Sequence, residues 1–365
     1  MAKKITQHLI ARELGISIGT IDRALHNRPG ISEETKQRIL DFVKQHEYTP
    51  DRIASSLARK AKPTRVGVIL QKEPAFFWSK VRNGILAAER ELADFGVEVI
   101  IREMQSVRNT AEILHLLDEL VRQSVEAIIM VPTNDVRLRE QIARAADLGI
   151  KIITLNDDID ESQRLFYVGP QMRQGGRIAG EMMGRYLQGN GNVVIINGSI
   201  DSIDYHERIE GFKEVLKEQY AGIHVIATYA YDFANLKDNL EHVIQGVLES
   251  IDNIAGIYDA DGASLYHIGD YVKKRRLIGR FVIIGHEIWD EVEKLIAEEI
   301  IQVCINQDPF AQGYYAVKLL INYLNNSFKP IHDRFYTRAD IIIKENLTTR
   351  GNILNPFVFA ENGQI

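Results

Sequence analysis

Residues 5–25 read Ile5-Thr6-Gln7-His8-Leu9-Ile10-Ala11-Arg12-Glu13-Leu14-Gly15-Ile16-Ser17-Ile18-Gly19-Thr20-Ile21-Asp22-Arg23-Ala24-Leu25. Leu9, Ile10 and Leu14 recur near helical spacing, and Thr6 stands where a first helix would be capped. Gly15 suits the left-handed position that ends a helix. Ser17 then caps a second helix, in which Ile21 and Leu25 lie four residues apart and form the buried side. Ala11 is small enough to let the two helices approach closely. Two short helices joined by a glycine-containing turn make a helix-turn-helix unit. After the breaker Pro29-Gly30 a third helix is predicted over residues 32–46, with Ile39, Phe42 and Val43 facing the other two. A generic three-helix bundle would account for the apolar spacing. It would not account for the order Gly-Ile-Ser, then Thr, then Arg.

Charge sets this segment apart. Residues 1–62 carry 12 Lys/Arg against 7 Asp/Glu, a net of +5, whereas the remaining 303 residues carry 32 against 43, a net of −11. A basic head on an acidic body fits an anionic partner for the head, with nucleic acid the first choice.

The ordered run Ala11, Gly15, Ile16-Ser17, Thr20-Ile21, Arg23, Leu25, Ser32, Thr35 and Tyr48 resembles the DNA-binding head of LacI/GalR-family transcription regulators. The likeness continues through Tyr48-Thr49-Pro50-Asp51 into Ala54-Ser55-Ser56-Leu57-Ala58-Arg59, and then over essentially all of the remaining chain. The resemblance implies that the second helix lies in the major groove of operator DNA. It assigns DNA contact to Thr6, Ser17, Ile18, Gly19, Thr20, Asp22, Arg23 and His26. Arg23 is the best base reader, because a guanidinium pairs with two guanine acceptors at once. Ile18 can meet a thymine methyl, while Ser17 and Thr20 suit phosphate. Asp22 departs from the serine common in the family; it either accepts from cytosine, orients Arg23, or is a solvated helix residue. Residues 52–60 are too short and too polar for a stable isolated helix. In the family this stretch folds as a hinge helix where two protomers meet at the minor groove. Leu57 would be the wedge at a central base step, with Ala58 beside it and Arg59 on phosphate.

From Arg65 onward, short apolar strands alternate with amphipathic segments. Strands are expected at 66–70, 97–102, 127–131, 152–155, 192–196, 225–228, 254–258, 282–285 and 300–305, and helices at 78–95, 109–123, 136–148 and 175–187. Such alternation gives parallel sheets covered by helices on both faces. There are too many strands for one compact sheet, so two are expected. The resemblance supplies the arrangement: α/β, with two Rossmann-like subdomains of the periplasmic binding protein type I kind, preceded by a small all-α helix-turn-helix domain. It divides the chain into a head (1–48), a hinge (49–63), an effector-binding domain (64–350) and a tail (351–365). Within the domain, 64–167 plus 308–328 would form one subdomain and 168–307 plus 329–350 the other.

Open α/β sheets bind ligands beyond the carboxyl ends of their strands. The loops there carry Phe76-Phe77-Trp78, Asn156-Asp157-Asp158, Asn197 through Ser202 leading to Arg208, Asp259-Ala260-Asp261, Glu287 and Asn306-Gln307-Asp308. Aromatic faces stack on sugar rings or flat bases, and forked polar side chains suit paired hydroxyls. Any one of these polar residues could instead cap a helix or turn. By resemblance, Phe77, Trp78, Asn156, Asp157, Arg208, Asp261, Glu287 and Gln307 fall at ligand-contacting positions. Ala260 stands where asparagine is frequent and Glu287 where aspartate is, which leaves the ligand open.

Other classes find little support. A single cysteine, Cys304, excludes an intramolecular disulfide framework and a cysteine-based zinc finger. No apolar run reaches the roughly 18 residues of a transmembrane helix, and the N-terminus turns polar before a secretory leader could form. His286-Glu287 lacks the second histidine of a zinc protease, and no P-loop or dinucleotide fingerprint is present. The expectation is a cytoplasmic, non-enzymatic, ligand-responsive repressor without cofactor or metal. It would act as a homodimer on roughly palindromic double-stranded operator DNA, with a sugar or sugar derivative as effector and no membrane partner. A freestanding solute-binding protein, or a regulator of a nucleobase or other non-sugar metabolite, is the alternative.

Overall fold

The computed structural model describes residues 7–25, 29–46, 63–198, 203–231, 236–326 and 330–347. Three helices make the head: α1 (Gln7–Leu14), α2 (Ile18–Leu25) and α3 (Glu33–Gln45). Gly15 adopts φ +66°, and the Ile16 amide closes back onto the Ala11 carbonyl at 3.0 Å, ending α1 through a left-handed residue. Ile10, Ile21, Ala24 and Ile39 are buried together, with Leu14, Leu25, Phe42 and Val43 around them. Of the expected inward pair, Ile21 is fully buried and Leu25 is half-buried against the same cluster, which Ala24 joins.

The body consists of two lobes. In the first, β1 (Thr64–Gln71), β2 (Val97–Met104), β3 (Ala127–Met130), β4 (Lys151–Leu155), β5 (Tyr167–Gly169) and β11 (Arg334–Tyr336) form an all-parallel sheet ordered β11-β5-β4-β3-β1-β2. In the second, β6 (Asn190–Asn197), β7 (Gly222–Ala230), β8 (Ile254–Asp259), β9 (Val282–His286), β10 (Val303–Asn306) and β12 (Asp340–Ile342) are ordered β12-β10-β9-β8-β6-β7, with only β12 antiparallel.

Alternate residues of each central strand serve opposite faces. Val66, Val68 and Leu70 pack under α4 (Ala75–Leu92) and α12 (Pro309–Asn326). Ile69 packs under α5 (Thr110–Arg122) and α6 (Val136–Asp147). In the second lobe Val193 and Ile195 face α7 (Met172–Tyr186) and α8 (Ile203–Gln219). Val194 and Ile196 face α9 (Leu236–Ser250), α10 (Leu265–Lys274) and α11 (Asp290–Ala297). Burial on both faces explains why the strands read as continuous apolar runs.

The nine expected strands are present, though the last is confined to Val303–Asn306 because Ile300 and Ile301 belong to the turn after α11. The three-residue strands β5, β11 and β12 carry no period that sequence could display. One of them shifts a boundary. Residues 329–350 were expected wholly in the second lobe, but Arg334–Tyr336 pairs with β5 in the first. Asp158 holds it there, binding Arg164 at 2.6 Å and Arg334 at 3.3 Å. The chain therefore crosses between lobes after β5, after β10 and after β11. The crossings are laced together: the Thr337 amide donates to the Gly169 carbonyl at 2.9 Å, and its hydroxyl to the Gln307 carbonyl at 3.0 Å.

Candidate functional site

A solvent-open cleft lies between the lobes at the carboxyl ends of the parallel strands. Phe77, Trp78, Asn156, Asp157, Arg208, Asp261, Glu287 and Gln307 all line it. These eight come from six places in the chain and from both sheets, so the fold alone brings them together. Phe77 and Trp78 stand in the first turn of α4 and meet edge to face at 4.9 Å. Both are buried against the first-lobe core, so part of their apolar area is packing.

Most of the polar groups are held by hydrogen bonds or ion pairs, in several separate sets. Arg208 is 2% exposed; it donates to the Ala260 carbonyl at 2.6 Å and to Gln307 Oε1 at 3.3 Å. The Asn156 amide donates to Gln312 Oε1 at 3.0 Å, and Gln312 donates to the Gln307 carbonyl at 3.1 Å. Asp261 accepts from the Tyr231 hydroxyl at 2.5 Å and from the Ala263 amide at 2.8 Å. Asp157 is ion-paired with Arg108 at 3.0 Å. Glu287 Oε1 has no hydrogen-bond partner among the described residues, although the residue is only 4% exposed. Burial pushes the Glu287 carboxyl up to about 7, against the opposing pull of the Arg208 and Lys80 charges and a Gln307 hydrogen bond. Burial likewise raises Asp261, while Tyr231 and the Ala263 and Ser264 amides hold it down. His286 lies behind the cleft with Nε2 at 2.9 Å from the Tyr258 hydroxyl; burial and then the Arg208 charge push it well below the usual imidazole range.

Sequence reasoning missed Arg108, Gln71, Met172, Gln312 and Tyr231. Arg108 has φ +54° in the turn before α5, and no local pattern announces it. Asp158, adjacent to Asp157, faces away from the cleft into the Arg164–Arg334 cluster. Carboxylates with this pocketed, hydrogen-bonded setting can accept from hydroxyl or amine donors. No cluster of three or more metal-ligating side chains occurs among the described residues, and none of the described helices is long and apolar enough to cross a membrane.

In the head, Ser17, Ile18 and Gly19 are exposed at the start of α2. Thr20, Asp22 and Arg23 are half-buried. Ser17 caps α2: its hydroxyl accepts from the Thr20 amide at 3.1 Å and lies 2.8 Å from the Thr20 hydroxyl. Ser32 repeats the arrangement with Thr35 at 3.2 and 2.8 Å. Thr6, His26, Leu57, Ala58 and Arg59 lie outside the described residues.

Comparison with known proteins agrees with both parts. Residues 66–327 match the model of the periplasmic binding protein domain, and residues 8–51 that of the bacterial regulatory proteins, lacI family. The chain is 22% identical over 325 residues to catabolite control protein A of Priestia megaterium, covering 88% of this chain and 93% of that one. It is 26% identical over 254 residues to the ribose operon repressor of Halalkalibacterium halodurans, covering 68% and 69%. Among solved structures, an ABC-transporter solute-binding protein from Burkholderia graminis, in complex with D-arabinose, superposes with a TM-score of 0.72 at 24% identity, covering 79% of this chain and 98% of that one. A putative LacI transcriptional regulator from Bacteroides fragilis gives 0.70 at 20% identity, covering 79% and 99%. At such identities these structures establish the fold. The chain belongs to the periplasmic binding protein domain family and, through its lacI-family helix-turn-helix head, is a DNA-binding regulator.

Proposed function

We propose that the protein is a cytoplasmic repressor whose affinity for operator DNA is set by a sugar or sugar derivative held between the two lobes. The observation that carries this reading is the convergence of aromatic faces and forked polar side chains from both lobes on one cleft, in a chain that also bears the head. Ring faces such as Trp78 suit the C–H face of a pyranose or furanose. Asn156, Asp157, Asp261, Glu287 and Gln307 offer the acceptors that hydroxyl groups need. The sugar names among relatives and fold neighbours support the same class.

In this reading residues 1–48 are the head, 49–63 the hinge, and 64–350 the effector domain. Two protomers present paired heads to a roughly palindromic operator. Effector binding shifts the lobes toward one closure state, which alters how the hinges meet. A coupling of about 1–3 kcal/mol would change operator affinity from several-fold to about a hundredfold. No catalytic step is part of this function.

The test is a thermal-shift panel on the full chain with pentoses, hexoses, sugar phosphates, sugar acids, nucleobases and amino acids, beginning with D-ribose and D-arabinose. A ligand at about a hundred times its Kd adds roughly 2.7 kcal/mol. The expected result is a shift with one sugar class, and a change in DNA affinity caused by that sugar. Shifts with nucleobases alone would replace the sugar by a flat base stacked on the aromatic loop.

A further inference from the structure

Apart from the laced crossings, two contacts join the lobes beside the cleft. Phe76 of α4 stacks on Trp289 of the β9–α11 loop, with ring centroids 3.8 Å apart and planes within 16°. One helical turn along α4, Lys80 Nζ donates to the Ile288 carbonyl at 2.6 Å. The partners on the second lobe are consecutive, and the residue before them is Glu287, whose carboxyl lines the cleft. Phe76 lines the cleft as well as stacking on Trp289.

We infer that Phe76–Trp289 and Lys80–Ile288 form a clasp that holds the lobes shut, and that Glu287-Ile288-Trp289 links effector contact to it. Neither Trp289 nor Lys80 belongs to the ligand-lining set. Trp289 is a positioning residue: it fixes the loop that presents Glu287, and it closes the mouth over whatever the cleft holds. A ring stack and a charge-assisted hydrogen bond are strong enough to bias closure, yet small beside the core of either lobe, so the clasp can open while both lobes stay folded. The clasp must part for a ligand to enter or leave. The link to effector binding rests on the sugar reading above; the clasp itself does not.

The experiment compares the full-length wild type with Trp289→Ala, Trp289→Phe and Lys80→Met by small-angle scattering without added sugar. Wild type and Trp289→Phe are expected to share one radius of gyration, and Trp289→Ala and Lys80→Met to show a larger one with unchanged circular dichroism. Should Trp289→Ala lose its fold, Lys80→Met, which keeps the aliphatic stem but removes the hydrogen bond and the charge, decides alone. Scattering identical to wild type from every folded clasp variant would overturn the inference. In a second arm, D-ribose and D-arabinose are the probes. For a probe that binds, Trp289→Ala should speed release roughly five- to tenfold and Trp289→Phe should restore it; unchanged release would overturn the link to Glu287. If neither probe binds, these two sugars are excluded as effectors, and the scattering arm still decides the clasp.

Discussion

Asn156 and Glu287 are structural counterparts in the two lobes. Each is the first residue after its strand, β4 or β9, and each is left-handed, with φ of +65° and +61°. Each still donates its backbone amide to the neighbouring strand, Asn156 to Val168 at 2.9 Å and Glu287 to Ile305 at 3.1 Å. The ladder is thus kept while the chain kinks, and the kink brings each side chain to the cleft. Asparagine tolerates this conformation well, whereas glutamate does so at a cost of order 1 kcal/mol. Both the strained residue and its unpartnered oxygen sit at the proposed ligand site.

Glu287 should make the effector domain pH-sensitive. Its carboxyl is raised from the ordinary 4.5 to about 7 by burial. The protonated form is favoured in the folded state, so the contribution to stability is fully present below about pH 4.5 and is lost as pH rises through about 7. The loss is on the order of 3 kcal/mol. Glu287→Gln removes the titration. In the absence of sugar its melting temperature should match wild type near pH 4.5 and exceed it at pH 8. Parallel melting curves of the two proteins from pH 4.5 to 8 would show that Glu287 ionises freely.

Close helix crossings place Arg208. A Cβ on Gly176 of α7 would overlap the Arg208 carbonyl of α8, and one on Gly211 would overlap the Arg173 carbonyl. The first lobe repeats the device with Gly84 against Phe310 and Gly313 against Val81. Gly176→Ala must push α8 outward and carry Arg208 with it. We expect a loss of about 1–3 kcal/mol of stability, a melting point lower by several degrees, and weakened effector binding with the head's DNA contact intact. Gly246→Ala, exposed on α9 with nothing within 4 Å, should raise stability by about 0.5–1 kcal/mol instead. Differential scanning calorimetry of the two variants should move in opposite directions.

The contrast between Asp157 and Asp158 shows how far the sequence could be read. The apolar runs of β1, β4 and β9 locate the sheets, since burial on both faces leaves a strong signal. Strand ends then locate the cleft, and all eight expected ligand residues line it. Which of two adjacent aspartates faces the cleft depends on Arg164 and on Arg334, the latter 176 residues away, whose strand β11 is too short to carry any period. Arg108 and Tyr231 were illegible for the same reason: their roles follow from tertiary pairing with Asp157 and Asp261.

Tyr231 should matter to the effector through Asp261. Its hydroxyl is the donor that the structure gives to Asp261 Oδ2, and it helps hold that buried carboxyl down. Tyr231→Phe leaves Oδ2 without that donor, a cost of about 1–3 kcal/mol when the partner is buried. The Asp261 carboxyl should rise further, so effector affinity should fall by roughly tenfold or more at neutral pH. Calorimetric titration with the sugar found in the panel measures this directly; an affinity equal to wild type would remove Asp261 from the binding set.

In the head, Arg23 and Ser17 should fail in different ways. Ser17 caps α2, so Ser17→Ala should cost about 1 kcal/mol of head stability and weaken binding evenly across operator sequences. Arg23 is half-buried, with its side chain beside Gly30 and its Nε without a hydrogen-bond partner among the described residues. Its stem is therefore packed in place, and base reading would fall to the two terminal guanidinium nitrogens. Arg23→Ala should lose about 1–3 kcal/mol at one operator position and leave the others unchanged. Binding-site selection from a random duplex library, run on both variants, separates the outcomes. A uniform loss for Arg23→Ala would make that residue a phosphate contact, with base reading left to Ile18 and its neighbours on the exposed first turn of α2.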